Sequence, residues 1–282
     1  MSNKSCRDIQ TFLTVVRGLL LRLYWKLETM ITPNLKYSQY HYYTHLKHIV
    51  PSGCRWLDVG CGHQIFESWM LPEEQELSSR AQILIGIDLN WDGLSKHRTI
   101  KQRVLGNIQR LPFASDSFDV ITANMVIEHV SAPDDVLLEA YRLLRPGGVF
   151  LFHTPNVRCF AMAIASRLSQ RVKNLLISVL ENRSTEDVFP TFYLMNREQA
   201  IREKAGKAGF ELQDLKVVSS SAVTGMLGPF VIVELLYLRI LELDRFRGLR
   251  SNMIVTLQKP DQAPIREIRR GHQTRSAMQV QL

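Results

Sequence analysis

The chain has 282 residues, of which 45% are hydrophobic and 22% charged, values typical of a globular protein with one large α/β domain or two small domains. Its four cysteines form no CxxC pair and no zinc-like spacing, so no metal site is expected, and reduced thiols in a cytosolic protein are the simplest interpretation. The net charge of +8 is uneven, at +5 for residues 1–50, −4 for 51–156 and +7 for 157–282.

The N-terminal segment, residues 1–50, is predicted to be helical. Its apolar stretch, residues 9–31, is interrupted by Arg17, Arg22 and Lys26, which argues against a membrane-spanning helix, and no cleavage site of a signal peptide follows it. Two interpretations stay open: a lid that packs on the following domain, or a helix that lies in a membrane interface.

From residue 54 to about 153 the sequence alternates between strand and helix patterns, which predicts a doubly wound, parallel α/β sheet. The clearest helix covers residues 134–144, with Ser131 or Asp134 as its N-cap, and Pro146 with the glycines after it as its stop. Strands are predicted at residues 55–59, 83–88, 104–108, 118–123 and 149–153.

The second half of the chain lacks the regular alternation of strand and helix patterns. A helix at 160–180 and a polar loop at 181–187 suggest an insertion over the crevice, within a core domain of residues 51–259 that has a further insertion at about 221–250. Asn196 is predicted to cap a helix that ends at Gly209. Strands at 210–219 and 252–258 flank a helix at 227–241, and the basic tail, 260–282, is expected to be disordered.

The stretch WLDVGCGHQ predicts a buried strand that leads into a glycine loop. Gly60 and Gly62 suit the bend because glycine tolerates positive φ and lets backbone approach a ligand closely. Asp58 and Asp88, each at the end of an apolar run, are expected to face one crevice, where Asp88 can accept both hydroxyl protons of a ribose. Ile65 stands where a dinucleotide fingerprint has its last glycine, so no pyrophosphate site is expected.

The segment GNIQRLPFASDSFD supplies a candidate purine site. Asn107 and Ile108 are predicted to end the third strand, where an amide can pair with the purine edge and an apolar side chain can cover the ring. Asn124 ends the predicted fourth strand, beside the position expected for the reactive part of a bound cofactor.

These segments, with EHV at residues 128–130 and LLRPGGVFLFHTPN at residues 143–156, resemble the class I S-adenosylmethionine-dependent methyltransferases, in particular the methyltransferase type 11 group. The resemblance covers about residues 54–156. It implies a Rossmann-like fold with a mostly parallel, seven-stranded sheet and helices on both faces, and S-adenosyl-L-methionine as cofactor.

The same resemblance implies roles for single residues. It assigns the ribose to Asp88. The sequence departs from the family pattern at two positions: the family often has a small residue where this chain has Gln64, and an aspartate where it has Asn107. Cys61 lies inside the loop as a tolerated small side chain rather than a nucleophile. The adenine is assigned to Leu89, Asn107 and Ile108, and the methionine moiety to Asp58, Gly60, Cys61, Gly62 and Asn124.

A general base is needed only if the acceptor must lose a proton before the methyl group arrives. His153, His129 and Tyr193 are the candidates, and for each histidine a structural role, with the ring bonded to backbone, is the alternative. An aromatic approach to the first strand contains Tyr37, Tyr40, Tyr42 and Tyr43. This segment either closes over a cofactor, because the faces of aromatic rings attract a sulfonium, or it is a simple packing helix.

The function expected from these features is methyl transfer to an oxygen of a small-molecule, glycan or lipid-linked acceptor. The alternative is a membrane-surface binding protein that keeps the fold without turnover, supported by apolar helices with basic residues nearby. In that case the protein is peripheral to the inner face of a membrane. No nucleic-acid partner is expected, because no reader motif of aromatic and basic residues is evident.

Overall fold

The computed structural model describes residues 21–160, 190–220 and 230–261, together with Gly18 and Met162. The helices are α1 (Ser38–Ile49), α2 (Leu71–Arg80), α3 (Trp91–Ser95), α4 (Pro133–Leu143), α5 (Glu198–Ala208) and α6 (Phe230–Leu241), and residues 21–31 are also helical. The strands are β1 (Arg55–Val59), β2 (Ile83–Asp88), β3 (Gln102–Leu105), β4 (Phe118–Asn124), β5 (Leu144–Pro155), β6 (Glu211–Val218) and β7 (Asn252–Gln258).

The strands form one seven-stranded sheet in the order β3-β2-β1-β4-β5-β7-β6. The pairs from β3 to β5 are parallel, whereas β7 runs antiparallel to both β5 and β6. This confirms the predicted doubly wound, mostly parallel sheet. Because β1 lies between β2 and β4, the strand order reverses there, and ligand crevices of open α/β sheets lie outside the carboxyl ends of the strands at such a point.

Both faces of the sheet are covered, which explains why its central strands are nearly continuous apolar runs. In β1, Trp56 points to one face and Leu57 to the other, and both are fully buried. The Leu57 face packs against α4 and α5, and the Trp56 face packs against α1 and α2. Tyr42 and Leu46 of α1 are fully buried in this second cluster, so α1 forms part of the core beside the sheet.

A third apolar cluster lies apart from these two. It joins the helical residues 21–31, through Tyr24, to the buried side of α6, which includes Leu235 and Leu238. Among the described residues, no helix is both long enough and apolar enough to cross a bilayer.

Two predicted element ends are wrong in the central part of the chain. Helix α4 begins at Pro133, a residue favoured in a first turn, and its N-cap, Ala132, makes no side-chain bond, so neither Ser131 nor Asp134 caps it. It ends at Leu143, and β5 begins at once, ahead of the predicted stop at Pro146.

The third strand is also displaced from its prediction. It covers Gln102–Leu105, so Asn107 and Ile108 follow the strand instead of ending it. Asn107 makes only an isolated antiparallel bridge with Arg110, in the turn that leads away from the sheet.

The predicted cap of α5 is wrong as well. The N-cap is Arg197, and the buried side chain of Asn196 instead donates hydrogen bonds to Thr154 Oγ1 at 2.7 Å and to the carbonyl of Pro155 at 3.0 Å. Gly209 ends the helix in the left-handed conformation, φ 93°, as predicted. The predictions for residues 161–189, 221–229 and 262–282 concern residues outside the described ranges, Met162 excepted.

Candidate functional site

The glycine loop follows β1, and glycine is needed at its two positions for different structural reasons. Both have positive φ, 65° at Gly60 and 51° at Gly62. A Cβ at Gly60 would overlap the side chain of Val126, whereas a Cβ at Gly62 would meet no atom within 4 Å. Packing therefore requires glycine at position 60, and at position 62 the backbone borders open space.

Asp88 ends β2 and holds this loop in place. Its Oδ2 accepts a hydrogen bond from the Gly62 N–H at 2.8 Å, and its Oδ1 accepts one from the Asn90 N–H at 2.7 Å. The residue is half-buried. Each carboxylate oxygen has a second lone pair, so the group can still accept two hydroxyl protons while it anchors the loop.

Asp58 lies within β1, enclosed by protein on the Trp56 face of the sheet. It is 1% exposed, and the Thr122 hydroxyl donates a hydrogen bond to it; the Trp56 Nε1–H in turn donates to Thr122 Oγ1 at 2.7 Å. Burial raises the pKa of Asp58 to about 7. Asp58 and Asp88 thus lie on neighbouring strands, but only Asp88 is open to solvent at the strand end, contrary to the expectation that both face the crevice.

Glu74 is a buried carboxylate that the sequence did not single out. It projects from α2, is fully buried, and its Oε2 accepts the backbone N–H groups of Ile65 at 3.1 Å and Phe66 at 3.2 Å. Thr99 and Arg98 donate to the same carboxylate at 2.6 and 3.2 Å. The glycine loop and the turn after it are therefore fixed by two carboxylates, Asp88 and Glu74.

Cys61 points into the fold from the middle of the loop. Its thiol is buried, and burial raises its pKa above the ordinary value. A Cβ on Gly86 of β2 would lie 2.7 Å from its Sγ, so the thiol packs directly against that strand. Such a thiol stays protonated and inert, in agreement with its prediction as a tolerated small side chain.

The predicted adenine residues lie around the end of β2. Leu89 is 63% exposed, Asn107 is exposed, and Ile108 packs partly buried against the main core. The N–H of Gly106 donates to the carbonyl of Asp88 at 3.1 Å, which brings the Asn107 turn next to the β2 end. The side chain of Asn107 accepts a bond from the Gln109 N–H at 3.0 Å, so its amide is partly engaged within its own turn.

A cavity of about 740 Å³ opens beyond the ends of β4 and β5. Its inner wall includes Asn124 and His153, one side is the segment that follows the glycine loop, and the other side is α6. Most of its exposed surface is apolar, with contributions from Trp69, Phe160 and Leu238 among others. It is the expected place for a molecule that reacts at the strand ends.

Asn124 connects the end of β4 to three other parts of this site. Its Nδ2 donates to the Ile65 carbonyl at 2.8 Å and to Gln39 Oε1 at 3.0 Å, and its Oδ1 accepts from His153 Nδ1 at 2.8 Å. Gln39 belongs to α1, and no local sequence signal marks it. Through it, the helix before the sheet is bonded directly to the end of β4.

His153 is 1% exposed. It pairs with Asn124 of the neighbouring strand β4, and its ring stacks on that of Tyr42, with the ring centroids 5.6 Å apart. Because Nδ1 donates to Asn124, the neutral ring carries its lone pair on Nε2, and that atom has no hydrogen-bond partner. Burial lowers the pKa of His153 to about 3, so the ring is neutral at any physiological pH.

The other two candidate bases lie outside the cavity lining. His129 bonds through Nδ1 to the Pro190 carbonyl at 2.9 Å, as expected for a structural histidine. Tyr193 has a strained φ of 53°, its N–H donates to the Glu128 carbonyl at 3.2 Å, and burial raises its pKa. Glu128 is itself buried and accepts from the Thr154 hydroxyl at 3.0 Å, which fixes this segment to β5.

The predicted aromatic approach divides into two parts. Tyr42 is fully buried under the sheet, which is a packing role. Tyr37 and Tyr40 instead contact Trp69, with ring centroids 6.1 and 4.9 Å apart. Tyr37 and Trp69 line the cavity, so aromatic rings form part of its entrance wall.

Comparison with known proteins agrees with this geometry. The chain is 33% identical over 153 residues to the fatty-acid O-methyltransferase of Mycolicibacterium smegmatis, covering 49% of this chain and 54% of that protein. It is 36% identical over 85 residues to a ubiquinone/menaquinone biosynthesis C-methyltransferase of Brucella canis, covering 27% and 32%. The chain thus spans about half the length, or less, of these curated relatives.

Solved structures show the same fold. A Listeria monocytogenes protein assigned as an S-adenosylmethionine dependent methyltransferase superposes with a TM-score of 0.50 at 15% identity, covering 78% of this chain and 97% of that one. The sequence profile of the methyltransferase domain family matches residues 33–215. This match spans more than half of the chain, which therefore belongs to the methyltransferase domain family, and membership of this family implies S-adenosyl-L-methionine as cofactor.

Proposed function

We propose that the protein transfers a methyl group from S-adenosyl-L-methionine to an oxygen of an acceptor that binds in the cavity beside Asn124 and His153. The observation that carries this proposal is the unpartnered Nε2 of a buried, neutral histidine in the wall of an otherwise mostly apolar cavity. Nε2 is itself enclosed by protein, so a small movement of the side chains over it would open its lone pair to the proton of an acceptor hydroxyl.

The cofactor residues proposed are those named from the sequence, and the geometry around the glycine loop supports them. Gly62 borders open space, and Asp88 keeps one lone pair on each oxygen for the ribose diol. The exposed, apolar Leu89 adjoins Asp88 and can cover an adenine face. Asp58 contributes as a support of the strand end, since its carboxylate is enclosed by protein.

The residues proposed for catalysis mainly position the acceptor. When bound, the cofactor supplies a methyl group on a sulfonium, already activated for transfer, so the site must align the acceptor and exclude water. Asn124 fixes the tautomer of His153, and His153 Nε2 accepts the hydrogen bond of the acceptor hydroxyl. With a pKa of about 3, His153 orients this hydroxyl and is a poor final acceptor of its proton, which passes to solvent through the open cavity as the methyl group bonds to the oxygen.

The composition of the cavity favours an acceptor with an apolar body over a polar sugar. Most of its surface is apolar, and the charged residues among the described ones that line it are the acids Glu67 and Glu234, with no lysine or arginine. Glycan sites need many hydrogen-bonding groups, because each buried hydroxyl must be paired. The two relatives described above, a fatty-acid O-methyltransferase and a ubiquinone/menaquinone biosynthesis C-methyltransferase, also suggest apolar acceptors. A lipid-linked or apolar small molecule with a free hydroxyl is therefore the acceptor proposed.

A transfer assay with the full chain and methyl-labelled cofactor tests this proposal against apolar and polar metabolite fractions. His153→Asn keeps a donor for Asn124 and removes Nε2, so kcat should fall about tenfold, the effect of about 1.4 kcal/mol when one positioning hydrogen bond is lost. His129→Asn is the matched control and should leave kcat unchanged. Binding of S-adenosylhomocysteine should be the same in both variants.

Two results would count against it. Loss of activity in the His129 variant with none in the His153 variant would place the chemistry elsewhere. Cofactor binding with no transfer to any fraction would favour the alternative, a membrane-surface binding protein that retains the fold without turnover.

A further inference from the structure

Helix α6 carries apolar side chains on two opposite faces. One face, with Leu235 and Leu238, is buried in the third cluster. The other face is open to solvent, although Ile232, Leu236 and Ile240 recur there at every fourth residue. Val233, at 67% exposed, lies on the same side of the helix. A surface helix normally carries polar residues on its outer face, so this pattern indicates an apolar partner that the described residues do not supply.

The helical residues 21–31 extend this surface. They pack against α6 in the same cluster, and they leave Leu23 and Met30 exposed at 54% and 69%. Single exposed apolar residues are ordinary, but a set on two adjoining helices forms a patch of the kind that marks a binding site. We call it the outer apolar face, defined by Leu23, Met30, Ile232, Val233, Leu236 and Ile240.

Exposed basic side chains belong to the same part of the chain. They are Arg22 and Lys26 on the first helix and Arg245 and Arg247 in the turn that follows α6, which also carries the exposed Asp244. The whole chain carries a net charge of +8. A second copy of the chain would bring the same positive charge to the contact, whereas a surface of anionic lipid would attract it.

We propose that the outer apolar face docks on the surface of an anionic phospholipid bilayer, as a peripheral contact in which the apolar side chains enter the headgroup region. The opposite side of α6 lines the cavity through Tyr237, Leu238 and Leu241. Docking therefore places one helix between the bilayer and the cavity. The contact requires neither cofactor nor turnover, so its test is separate from that of methyl transfer.

Co-sedimentation of the full chain with vesicles tests the contact. Vesicles of phosphatidylcholine alone are compared with vesicles that also contain phosphatidylglycerol, without cofactor. Binding to the anionic vesicles should be stronger and should weaken as salt is added. Leu236→Asp should reduce it about tenfold or more, the effect of withdrawing one leucine from an apolar environment and adding a negative charge.

Leu138→Asp is the matched control. Leu138 lies on α4, against the other face of the sheet, and is 55% exposed compared with 52% for Leu236. It brings the same charge change, so it should retain nearly all of the binding, and thermal melting checks that both variants fold. Equal binding of the two vesicle types, equal loss in both variants, or a dimer in solution that Leu236→Asp dissociates would each overturn the proposal.

Discussion

Replacement of Asp88 by alanine tests the ribose assignment most directly. The change removes the acceptor of two backbone N–H groups, at Gly62 and Asn90, and of the two hydroxyl protons proposed for the ribose. A hydrogen bond to a charged group contributes about 1.5–3 kcal/mol. Two ribose bonds at the lower value give about 3 kcal/mol, or roughly 100-fold in the dissociation constant. The free energy of unfolding should fall by only about 1 kcal/mol, because water can replace the carboxylate at the exposed Asn90.

Titration calorimetry measures this effect with S-adenosylmethionine and S-adenosylhomocysteine in turn. Both should weaken by the same factor, because the ribose hydroxyls do not change in the reaction, and kcat at saturating cofactor should stay near the wild-type value. Asp92→Ala, an exposed acid four residues further along the chain, is the control for charge. Unchanged affinity in the Asp88 variant, or a large effect on only one of the two ligands, would refute the ribose assignment.

Three further changes have outcomes that follow from the contacts described. Gly60→Ala should destabilise the fold by several kcal/mol, because its Cβ overlaps Val126, whereas Gly62→Ala should cost about 1–2 kcal/mol in urea unfolding and lose most cofactor affinity. Equal stability of the two would contradict this difference. Glu74→Ala should lower the free energy of unfolding by about 3 kcal/mol, since two loop N–H groups and the partly exposed Arg98 lose their acceptor; an unchanged melting temperature would exclude an anchoring role. The neutral ring of His153 has a folded pKa of about 3 against 6.5 in the unfolded chain, so it makes stability fall as the pH drops below 6.5, by about 2 kcal/mol at pH 5. His153→Asn should therefore lose less stability than the wild type between pH 7 and 5, and parallel unfolding curves would contradict the buried, neutral ring.

The strands at the site could be predicted from the sequence because each is a short apolar run that ends in a polar residue. The bounds of β1, β2 and β7 are predicted correctly, since strands covered on both faces, the parallel β1 and β2 as well as the antiparallel β7, leave this pattern whatever their neighbours. The prediction that Asn196 caps α5 was wrong because a tertiary contact holds its side chain elsewhere. An asparagine before a helix usually caps it, but this one is drawn into the core by Thr154 and the Pro155 carbonyl of β5.

The parts of the site that were missed depend on partners distant in sequence. Glu74 belongs to the run PEEQE, which is typical of a solvated helix, and only the fold brings it to the N–H groups of Ile65 and Phe66. Gln39 likewise meets Asn124 across 85 residues of chain. The predicted His153 is brought to the cavity, whereas His129 and Tyr193 are held by backbone contacts outside its lining.

The bond between Gln39 and Asn124 has a practical consequence for anyone who trims this protein to its sheet. A fragment that starts at Pro51 would keep every strand, yet it would discard the glutamine that braces the end of β4 and the tyrosine on which His153 rests. Measurements on such a fragment would describe an altered pocket. Any shortened form used for binding studies or crystallisation should therefore retain α1.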